Sequence, residues 1–339
     1  MSDDSSEPAR PDPKTELKPD DMPRVLVCVD LARETGAIIP PAKAVARALG
    51  AELAFVHVIK AYAYTDSETP VDPVEWEIMR RENKRRMAQI AKEHGDGDET
   101  PATHLLVGHA ADQICGVMAG TPQDIAVLGR GHGESAAHMG ETVRRILEHG
   151  VNSLLLVPVD AAPKPGFSRI FVPLDCSGRS ERIMPIVEKI ARSENAEVVL
   201  VHAVPEPVFT GAGPVEPEDK MLITQINQRN ERVARSYLDQ LSGRMRTGGL
   251  HVRSLVLSGG DVRRQLSTAI GEQATDLLVL ASHGRSGYAD VPFGDVANFL
   301  ISRSQVPTLV VRFGDTAADT HVFSTTRSKG ARGPGAMLQ

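Results

Sequence analysis

Few features of this sequence point to extracellular or membrane chemistry. Its three cysteines, Cys28, Cys115 and Cys176, form neither a Cys-x-x-Cys pair nor a metal-ligand spacing. No apolar run approaches the ~20 residues that cross a bilayer, and the first residues lack the basic and apolar segments of a secretory signal. We therefore expect neither a disulfide scaffold nor a membrane partner. The free thiols predict a reducing, cytoplasmic location.

Basic charge and aromatic residues are also scarce. The chain carries 38 Lys and Arg against 44 Asp and Glu, a formal net charge of −6, and aromatic residues make up 4% of it. A dedicated nucleic-acid binder needs cations for the phosphate backbone and aromatic rings for the bases. We therefore expect no nucleic-acid partner. The hydrophobic fraction of 41% is typical of globular domains that bury their own cores.

What the sequence does contain is an internal repeat. Four pairs of apolar segments align, the first two pairs at one spacing and the later two at larger spacings: 24–30 with 169–175, 51–58 with 196–203, 124–129 with 276–281, and 151–157 with 306–312. These segments are nearly continuous runs of Val, Leu and Ile, as expected for parallel strands covered on both faces. The larger later spacings indicate insertions in the second copy.

Helical patterns lie between the apolar segments. They cover residues 38–49, 73–93, 112–119, 182–192, 218–241 and 262–273. Alternation of strand and helix predicts an α/β fold with two tandem doubly wound domains, each a mostly parallel five-stranded sheet with helices on both faces. The predicted organisation is a disordered tail (1–22), a first domain (23–160), a linker (161–166), a second domain (167–313) and a second disordered tail (314–339).

The last apolar segment of each copy would be harmful as an exposed sheet edge. Residues 153–157 and 308–311 are apolar and carry no charge. Exposed edges of this kind promote aggregation. We therefore expect the two segments to pair antiparallel within one chain, which gives an intramolecular domain pair and leaves a higher oligomer open.

The second copy in particular resembles a universal stress protein, and the whole chain resembles the tandem type of that family. The resemblance rests on residues 171–175 (FVPLD), Val201 with His202, residues 279–287 (VLASHGRSG) with the Phe293-Gly294 pair, and residues 306–311 (VPTLVV). The first copy keeps Asp30 and residues 56–58 (VHV) but has a divergent, degenerate loop at residues 129–134 (GRGHGE). The resemblance implies a stress-response regulatory module that is not an enzyme, with weak ATP hydrolysis as a residual alternative.

Family members that hold ATP show a loop of three spaced glycines followed by Ser or Thr. The second copy keeps the Gly284-to-Gly294 register but has Ala281 at the first glycine and Asp295 at the hydroxyl position. The resemblance implies that Pro173, Leu174, Asp175 and Ala203 frame the adenosine. It implies that Ala281, His283, Gly284, Arg285, Gly294 and Asp295 surround the phosphates. The expected ligand is an adenine nucleotide, ATP or AMP, with Mg²⁺ if a triphosphate binds.

Two alternatives depend on the same residues. An acid at the phosphate position, Asp295 in the second copy and Glu141 in the first, disfavours a phosphate neighbour. This leaves open a nucleotide-free scaffold or interaction protein with two degenerate pockets and an unknown protein partner.

Residues 258–261 (SGGD) are similar to the phosphate loop of ATP pyrophosphatases, but they follow a later strand. We interpret them as a strand-to-helix turn with Asp261 as the helix N-cap.

Overall fold

The computed structural model describes most of the two repeats. The described residues are 22–33, 35–60, 72–95, 99–130, 140–160, 164–206, 216–282 and 294–313. The predicted tails, apart from Met22, and residues 161–163 of the predicted linker lie outside the described residues.

Each repeat forms one α/β unit. The described part of the first contains, in chain order, β1 (Arg24–Cys28), α1 (Ile39–Leu49), β2 (Glu52–Ile59), α2 (Pro73–Glu93), β3 (Ala102–Val107), α3 (Ala110–Met118), β4 (Ile125–Arg130), α4 (Glu141–His149) and β5 (Ser153–Pro158). The described part of the second contains β6 (Arg169–Pro173), α5 (Gly178–Glu181), α6 (Met184–Glu194), β7 (Glu197–Val204), α7 (Pro217–Thr247), β8 (Val252–Ser258), α8 (Val262–Glu272), β9 (Leu277–Ala281), α9 (Asp295–Arg303) and β10 (Thr308–Val311).

The two units share a single ten-stranded sheet with the order β3-β2-β1-β4-β5-β10-β9-β6-β7-β8. All pairings within each unit are parallel. At the seam β10 pairs antiparallel with β5, and Leu309 lies opposite Leu155. This topology confirms the predicted doubly wound fold and the antiparallel pairing of the last strands. The strand order reads the same from either edge, so an approximate twofold axis passes through the seam.

The sheet separates two buried layers. Val25 and Val27 of β1 belong to one layer and Leu26 to the other, because successive residues of a strand face opposite sides. Helices α1, α2, α6 and α7 cover the first layer, and α3, α4, α8 and α9 cover the second. Across the seam α1 contacts α6, where Arg47 and Glu194 form an ion pair at 2.8 Å.

The observed helices differ from the predicted ones by three omissions and one extension. The prediction omitted the four-residue α5 and the nine-residue α4 and α9, the last two of which follow glycine-containing loops. Helix α7 continues past residue 241 to Thr247, and Leu241 and Met245 of this last part are buried. Packing of these residues against the sheet therefore accompanies a helix that continues beyond its predicted end at residue 241. In the described residues, no helix is both long and apolar enough to cross a membrane.

The turn at residues 258–261 is the strand-to-helix connection that the sequence predicted. The Asp261 Oδ1 atom accepts hydrogen bonds from the backbone N–H groups of Arg263 at 3.0 Å and Arg264 at 3.2 Å. Gly259 and Gly260 have φ angles of 84° and 100°, which a side chain at either position would oppose. The backbone N–H of Gly260 donates to the Glu206 carboxylate at 2.7 Å. The protein's own carboxylates thus occupy donors that a phosphate loop would direct at its ligand.

Candidate functional site

The candidate site lies at the carboxyl ends of β6, β7 and β9, where a cavity of ≈ 320 Å³ opens in the second domain. Ligands of doubly wound sheets bind beyond the carboxyl ends of the strands. Seven of the ten residues implied by the resemblance line this cavity: Pro173, Leu174, Asp175, Ala203, Ala281, Gly294 and Asp295. The other three, His283, Gly284 and Arg285, lie outside the described residues.

Asp175 shapes the turn that follows β6. Its Oδ1 atom accepts hydrogen bonds from the backbone N–H of Ser177 at 3.0 Å and from the Ser177 hydroxyl at 2.6 Å. The intervening Cys176 has a φ of 59°, a left-handed conformation that is uncommon for residues other than glycine. Asp175 therefore holds the turn that lines the cavity.

His202 fixes the same turn against β7. Its Nδ1 atom lies 2.7 Å from the carbonyl oxygen of Leu174 and 3.5 Å from the Cys176 sulfur. A carbonyl oxygen only accepts, so Nδ1 carries the ring proton and donates it. Nδ1 therefore cannot take a proton from Cys176, and the two side chains do not form a nucleophile–base pair. The contact stabilises the wall of the cavity.

Sequence reasoning missed the walls that the helices supply. Val262 and Leu266 of α8 and Val296 and Ala297 of α9 line the cavity, as does Ser180 of α5. Val262 and Leu266 are four residues apart and share one helix face. That spacing was a usable signal, but which face of α8 points toward the cavity depends on how the helix packs. The walls are thus mainly apolar, with carboxylates at Asp175 and Asp295.

Asp295 stands at the first turn of α9, directly after the N-cap residue Gly294. A carboxylate is favourable there because the helix N-terminus carries partial positive charge. On the neighbouring helix α8, the pKa of the Arg263 guanidinium is raised mainly by Asp261, which accepts its hydrogen bonds, and to a smaller extent by Asp295. The same Arg263 and Arg264 contacts lower the pKa of Asp261 to about 2. Charges of both signs therefore interact between the starts of α8 and α9.

The first domain has a corresponding cavity of ≈ 410 Å³. Asp30, His57 and Val58 occupy the positions of Asp175, His202 and Ala203 in the repeat. The supporting bonds are also repeated: Asp30 Oδ1 accepts from the Ala32 N–H at 3.0 Å, and His57 Nδ1 lies 2.9 Å from the Val29 carbonyl oxygen. The ends of β1 and β2 therefore support a cavity in the first domain by the same contacts as in the second.

The charges and thiols of the first cavity differ from those of the second. Arg33 and Lys60 line it, and Glu141 and Thr142 from the start of α4 close its other side. Burial, and to a smaller extent Cys115, raise the pKa of the lining residue Cys28 to about 12. That thiol is neutral at physiological pH and is a poor nucleophile. Among the described residues, no group of three or more His, Cys, Asp and Glu side chains is placed to hold a metal ion.

The model of the universal stress protein family matches the chain twice, at residues 22–158 and 166–312. A universal stress protein of Mycobacterium tuberculosis is 25% identical over 207 residues, which cover 59% of this chain and 63% of the relative. The match therefore spans less than two thirds of that relative's length.

Solved structures agree in fold. A universal stress protein from Archaeoglobus fulgidus covers 86% of this chain and 97% of its own, with a TM-score of 0.61 at 16% identity. A functionally unknown protein from Pseudomonas aeruginosa covers 86% of this chain and 92% of its own, with a TM-score of 0.59 at 13% identity. At such low identity these similarities establish the fold and leave the ligand to the residues of this chain.

Proposed function

The chain belongs to the universal stress protein family, and from that premise we propose that it is a stress-response regulatory module that binds an adenine nucleotide in the cavity of its second domain. The observation that carries the proposal is the convergence of Pro173, Leu174, Asp175 and Ala203 with Ala281, Gly294 and Asp295 around one cavity. These residues come from strand ends and a helix start that are distant in sequence. Small-molecule sites combine such apolar walls with a few placed polar groups.

The lining suits the base of a nucleotide. Val201, Ala203 and Leu280 present apolar surface to the cavity, and Asp175 presents an acceptor. An adenine amino group is a donor, so a carboxylate at the edge of an apolar slot is a matching partner. The volume of ≈ 320 Å³ is at the small end of the range of about 300–1,000 Å³ for ligand pockets. AMP is therefore the preferred ligand of the described cavity.

A triphosphate bound in this cavity would bring its negative charges close to the Asp295 carboxylate. Two unit charges about 4 Å apart repel by roughly 4 kcal/mol at an effective dielectric near 20. Mg²⁺ bridging the carboxylate and phosphate oxygens would offset that repulsion, since it is commonly held by one or two carboxylates together with substrate phosphates. The proposal thus includes ATP only with the metal.

We propose binding without catalysis. Among the described residues, Nδ1 of His202 donates its proton to the carbonyl oxygen of Leu174 and does not act as a base for Cys176, and the Cys28 thiol is neutral. The three cysteines are partly exposed free thiols, which favours a cytoplasmic location.

One observation favours a nucleotide-free scaffold instead. Both cavities meet a helix whose first residue is acidic, Glu141 of α4 and Asp295 of α9. An acid at each helix start stabilises the helix without any ligand. In this alternative the two cavities preserve the fold, and an unidentified protein partner contacts another surface.

Equivalent substitutions in the two cavities test the proposal. Ala203→Leu should fill the second cavity and weaken AMP binding at least tenfold, a loss of about 1.4 kcal/mol. Val58→Leu at the equivalent position of the first cavity should leave that affinity unchanged. Calorimetry with AMP, and with ATP in the presence and absence of Mg²⁺, measures both. Native mass spectrometry of freshly purified protein should also show a co-purified nucleotide.

The other outcomes are equally specific. Weaker AMP binding in Val58→Leu alone would place the nucleotide in the first domain and contradict the assignment of the site. Absence of AMP and ATP binding in the wild type would contradict the proposed function and favour the scaffold.

A further inference from the structure

Arg130, the last residue of β4, reaches from the first domain into the second. Its side chain is buried, with the residue 7% exposed. Its Nη1 atom donates to the carbonyl oxygen of Ile301 at 2.7 Å, and its Nη2 atom donates to the carbonyl oxygen of Ser304. Both carbonyls belong to the C-terminal end of α9. Such carbonyls have no partner within their helix, and a cation is favourable beside them.

Arg312, which directly follows β10, makes the reciprocal contact. Its Nη2 atom donates to the carbonyl oxygen of Leu147 near the C-terminal end of α4, and its backbone N–H donates to the Ser153 hydroxyl at 3.1 Å. Burial lowers the pKa of Arg312 to about 10. The guanidinium nevertheless stays protonated at neutral pH. The seam therefore contains two charge-assisted contacts in opposite directions.

The opposite ends of the same two helices line the cavities. Gly294 and Asp295 at the start of α9 line the second cavity, and Gly140 and Glu141 at the start of α4 line the first. The distance is short, because a nine-residue helix such as α9 is only about 14 Å long at 1.5 Å per residue. A helix moves as a unit over this length, so a contact at its C-terminus restrains its N-terminus.

The backbone next to each arginine also contacts or contains a residue at one of the cavities. Gly129, the residue before Arg130, lines the first cavity. The N–H of Ser282, which follows the lining residue Ala281, donates to the carbonyl oxygen of Val311 at 3.1 Å. Val311 directly precedes Arg312. Arg130 thus joins a strand that ends at the first cavity to the helix that begins at the second. Arg312 follows a strand that pairs with β9, whose end lines the second cavity, and it contacts the helix that begins at the first.

We infer that Arg130 and Arg312 are positioning residues, each of which holds the cavity-lining helix of the opposite domain and thereby couples the two cavities. The positioning role stands on the seam contacts alone, whereas the effect on nucleotide affinity rests on the proposed function. Removal of Arg130 should loosen α9 and the second cavity while α4 stays ordered. Removal of Arg312 should do the reverse.

Two equivalent amides report on the cavity ends of the helices. The Asn298 N–H donates to the Gly294 carbonyl oxygen at 3.0 Å and closes the first turn of α9. The Arg144 N–H donates to the Gly140 carbonyl oxygen at 3.0 Å and closes the first turn of α4. Hydrogen exchange at these two amides measures how often each first turn opens.

The experiment compares Arg130→Gln and Arg312→Gln in the full-length chain by hydrogen exchange. Arg130→Gln should speed exchange at Asn298 about tenfold or more with little change at Arg144, and Arg312→Gln should show the reverse pattern. Arg130→Lys keeps the charge but not the forked geometry, so it should restore part of the protection. The exposed Arg81 of α2, changed to Gln, is the matched control and should alter neither amide.

Equal effects of the two variants on both amides would overturn the inference, because they would indicate general destabilisation. Unchanged exchange at Asn298 in Arg130→Gln would overturn it as well. If Arg130→Gln does not fold, Arg130→Lys takes its place. Its comparison with Arg312→Gln still tests whether each variant speeds exchange only in the helix of the opposite domain.

A ligand titration separates this inference from the proposed function. In the wild type, AMP should slow exchange at Asn298, and Arg130→Gln should weaken AMP binding by about 5- to 150-fold, the usual range of coupling between sites. Failure of AMP to bind the wild type would contradict the proposed function, while the crossed exchange pattern would still decide the role of the arginines. Undiminished AMP affinity in Arg130→Gln would contradict the coupling.

Discussion

The two cavities share the side chains that shape their walls and differ in the side chains that would meet a ligand. Asp30 and Asp175 fix equivalent turns, and His57 and His202 latch those turns to the neighbouring strand. The mouth of the first cavity carries Arg33 and Lys60. The repeat places Gly178 and Pro205 at those positions in the second domain. Backbone support has thus been retained in both copies, while the charge offered to a ligand has diverged.

A second contrast lies at the amino ends of β1 and β6, away from the cavities. In the first domain, Arg24 pairs through its side chain with Asp124, whose carboxylate is fully buried. Asp124 also accepts the backbone N–H of Arg24 at 3.0 Å. In the second domain the equivalent Asp276 accepts the corresponding backbone N–H of Arg169 and that of Ser168, each at 2.9 Å. The Arg169 side chain turns to Glu197 at 2.7 Å. The two copies therefore share the backbone hydrogen bond from arginine to aspartate, while the side chains of the two arginines pair with different carboxylates.

The largest expected effect tests whether the two domains are independent. Leu309 is fully buried at the seam, so Leu309→Ala should lower the free energy of unfolding by about 2–5 kcal/mol. Trp76, the single tryptophan, lies in the first domain. Because β10 pairs with β5, the urea transition followed by Trp76 fluorescence should shift together with that followed by far-UV circular dichroism.

The control is Leu241→Ala, which removes the same side chain from α7, away from the seam. A joint shift in this variant too would show that all ten strands unfold as one unit. An unchanged Trp76 transition in Leu309→Ala would contradict the coupling of the domains through the seam.

An effect of comparable size sharpens the contrast between the two arginines. Arg24→Met leaves the buried Asp124 carboxylate without its cation, and loss of one partner of a buried pair costs about 3–5 kcal/mol. Arg169→Met should cost about 1 kcal/mol or less, because Asp276 keeps both backbone donors and the Arg169–Glu197 pair is about one third exposed. Urea denaturation of the two variants measures the difference.

Adding Asp124→Asn to Arg24→Met should recover part of the lost stability, since the uncompensated charge is gone. Equal losses in Arg24→Met and Arg169→Met would contradict the view that the two copies use these residues differently.

How far the sequence predicts this molecule depends on the range of the interaction. The repeat and its apolar segments identified the strands of the central sheet, because burial on both faces leaves a continuous local signal. The edge strand β3 is only partly buried, so it has no such continuous apolar run and was not identified from the sequence. The short helix α4 was also missed, although its buried residues Val143, Ile146 and Leu147 stand at helical spacing, so a usable local signal was present.

The site divides in the same way. Asp175 and Ala203 follow from local motifs at strand ends. The contribution of Leu266 depends on how α8 packs, and Arg130 meets Ile301 across 171 positions of the chain. Contacts of that separation are set by the twofold arrangement of the domains, which no local pattern contains.

The smallest expected effect concerns the acid at the start of α9. Asp295→Ser replaces a carboxylate by a hydroxyl that can donate to phosphate, and it leaves the positive field of Arg263 uncompensated by Asp295. ATP binding should therefore strengthen by about 1–2 kcal/mol. This is less than the roughly 4 kcal/mol for two charges about 4 Å apart at a dielectric near 20, because solvent reaches the site.

AMP separates the charge effect from a general change in the pocket. Its single phosphate leaves less charge near residue 295, so AMP should gain much less than ATP from Asp295→Ser. The ATP gain should also shrink when Mg²⁺ is abundant, since the metal already links the carboxylate to phosphate.

Asp295→Asn removes the charge without adding a hydroxyl and should give part of the gain. Glu141→Ser makes the same kind of change in the first domain and should leave the second site unaltered. Calorimetry that finds no ATP gain in Asp295→Ser would mean that Asp295 does not limit phosphate binding, and Ala281, where ATP-holding relatives have glycine, becomes the position to change next.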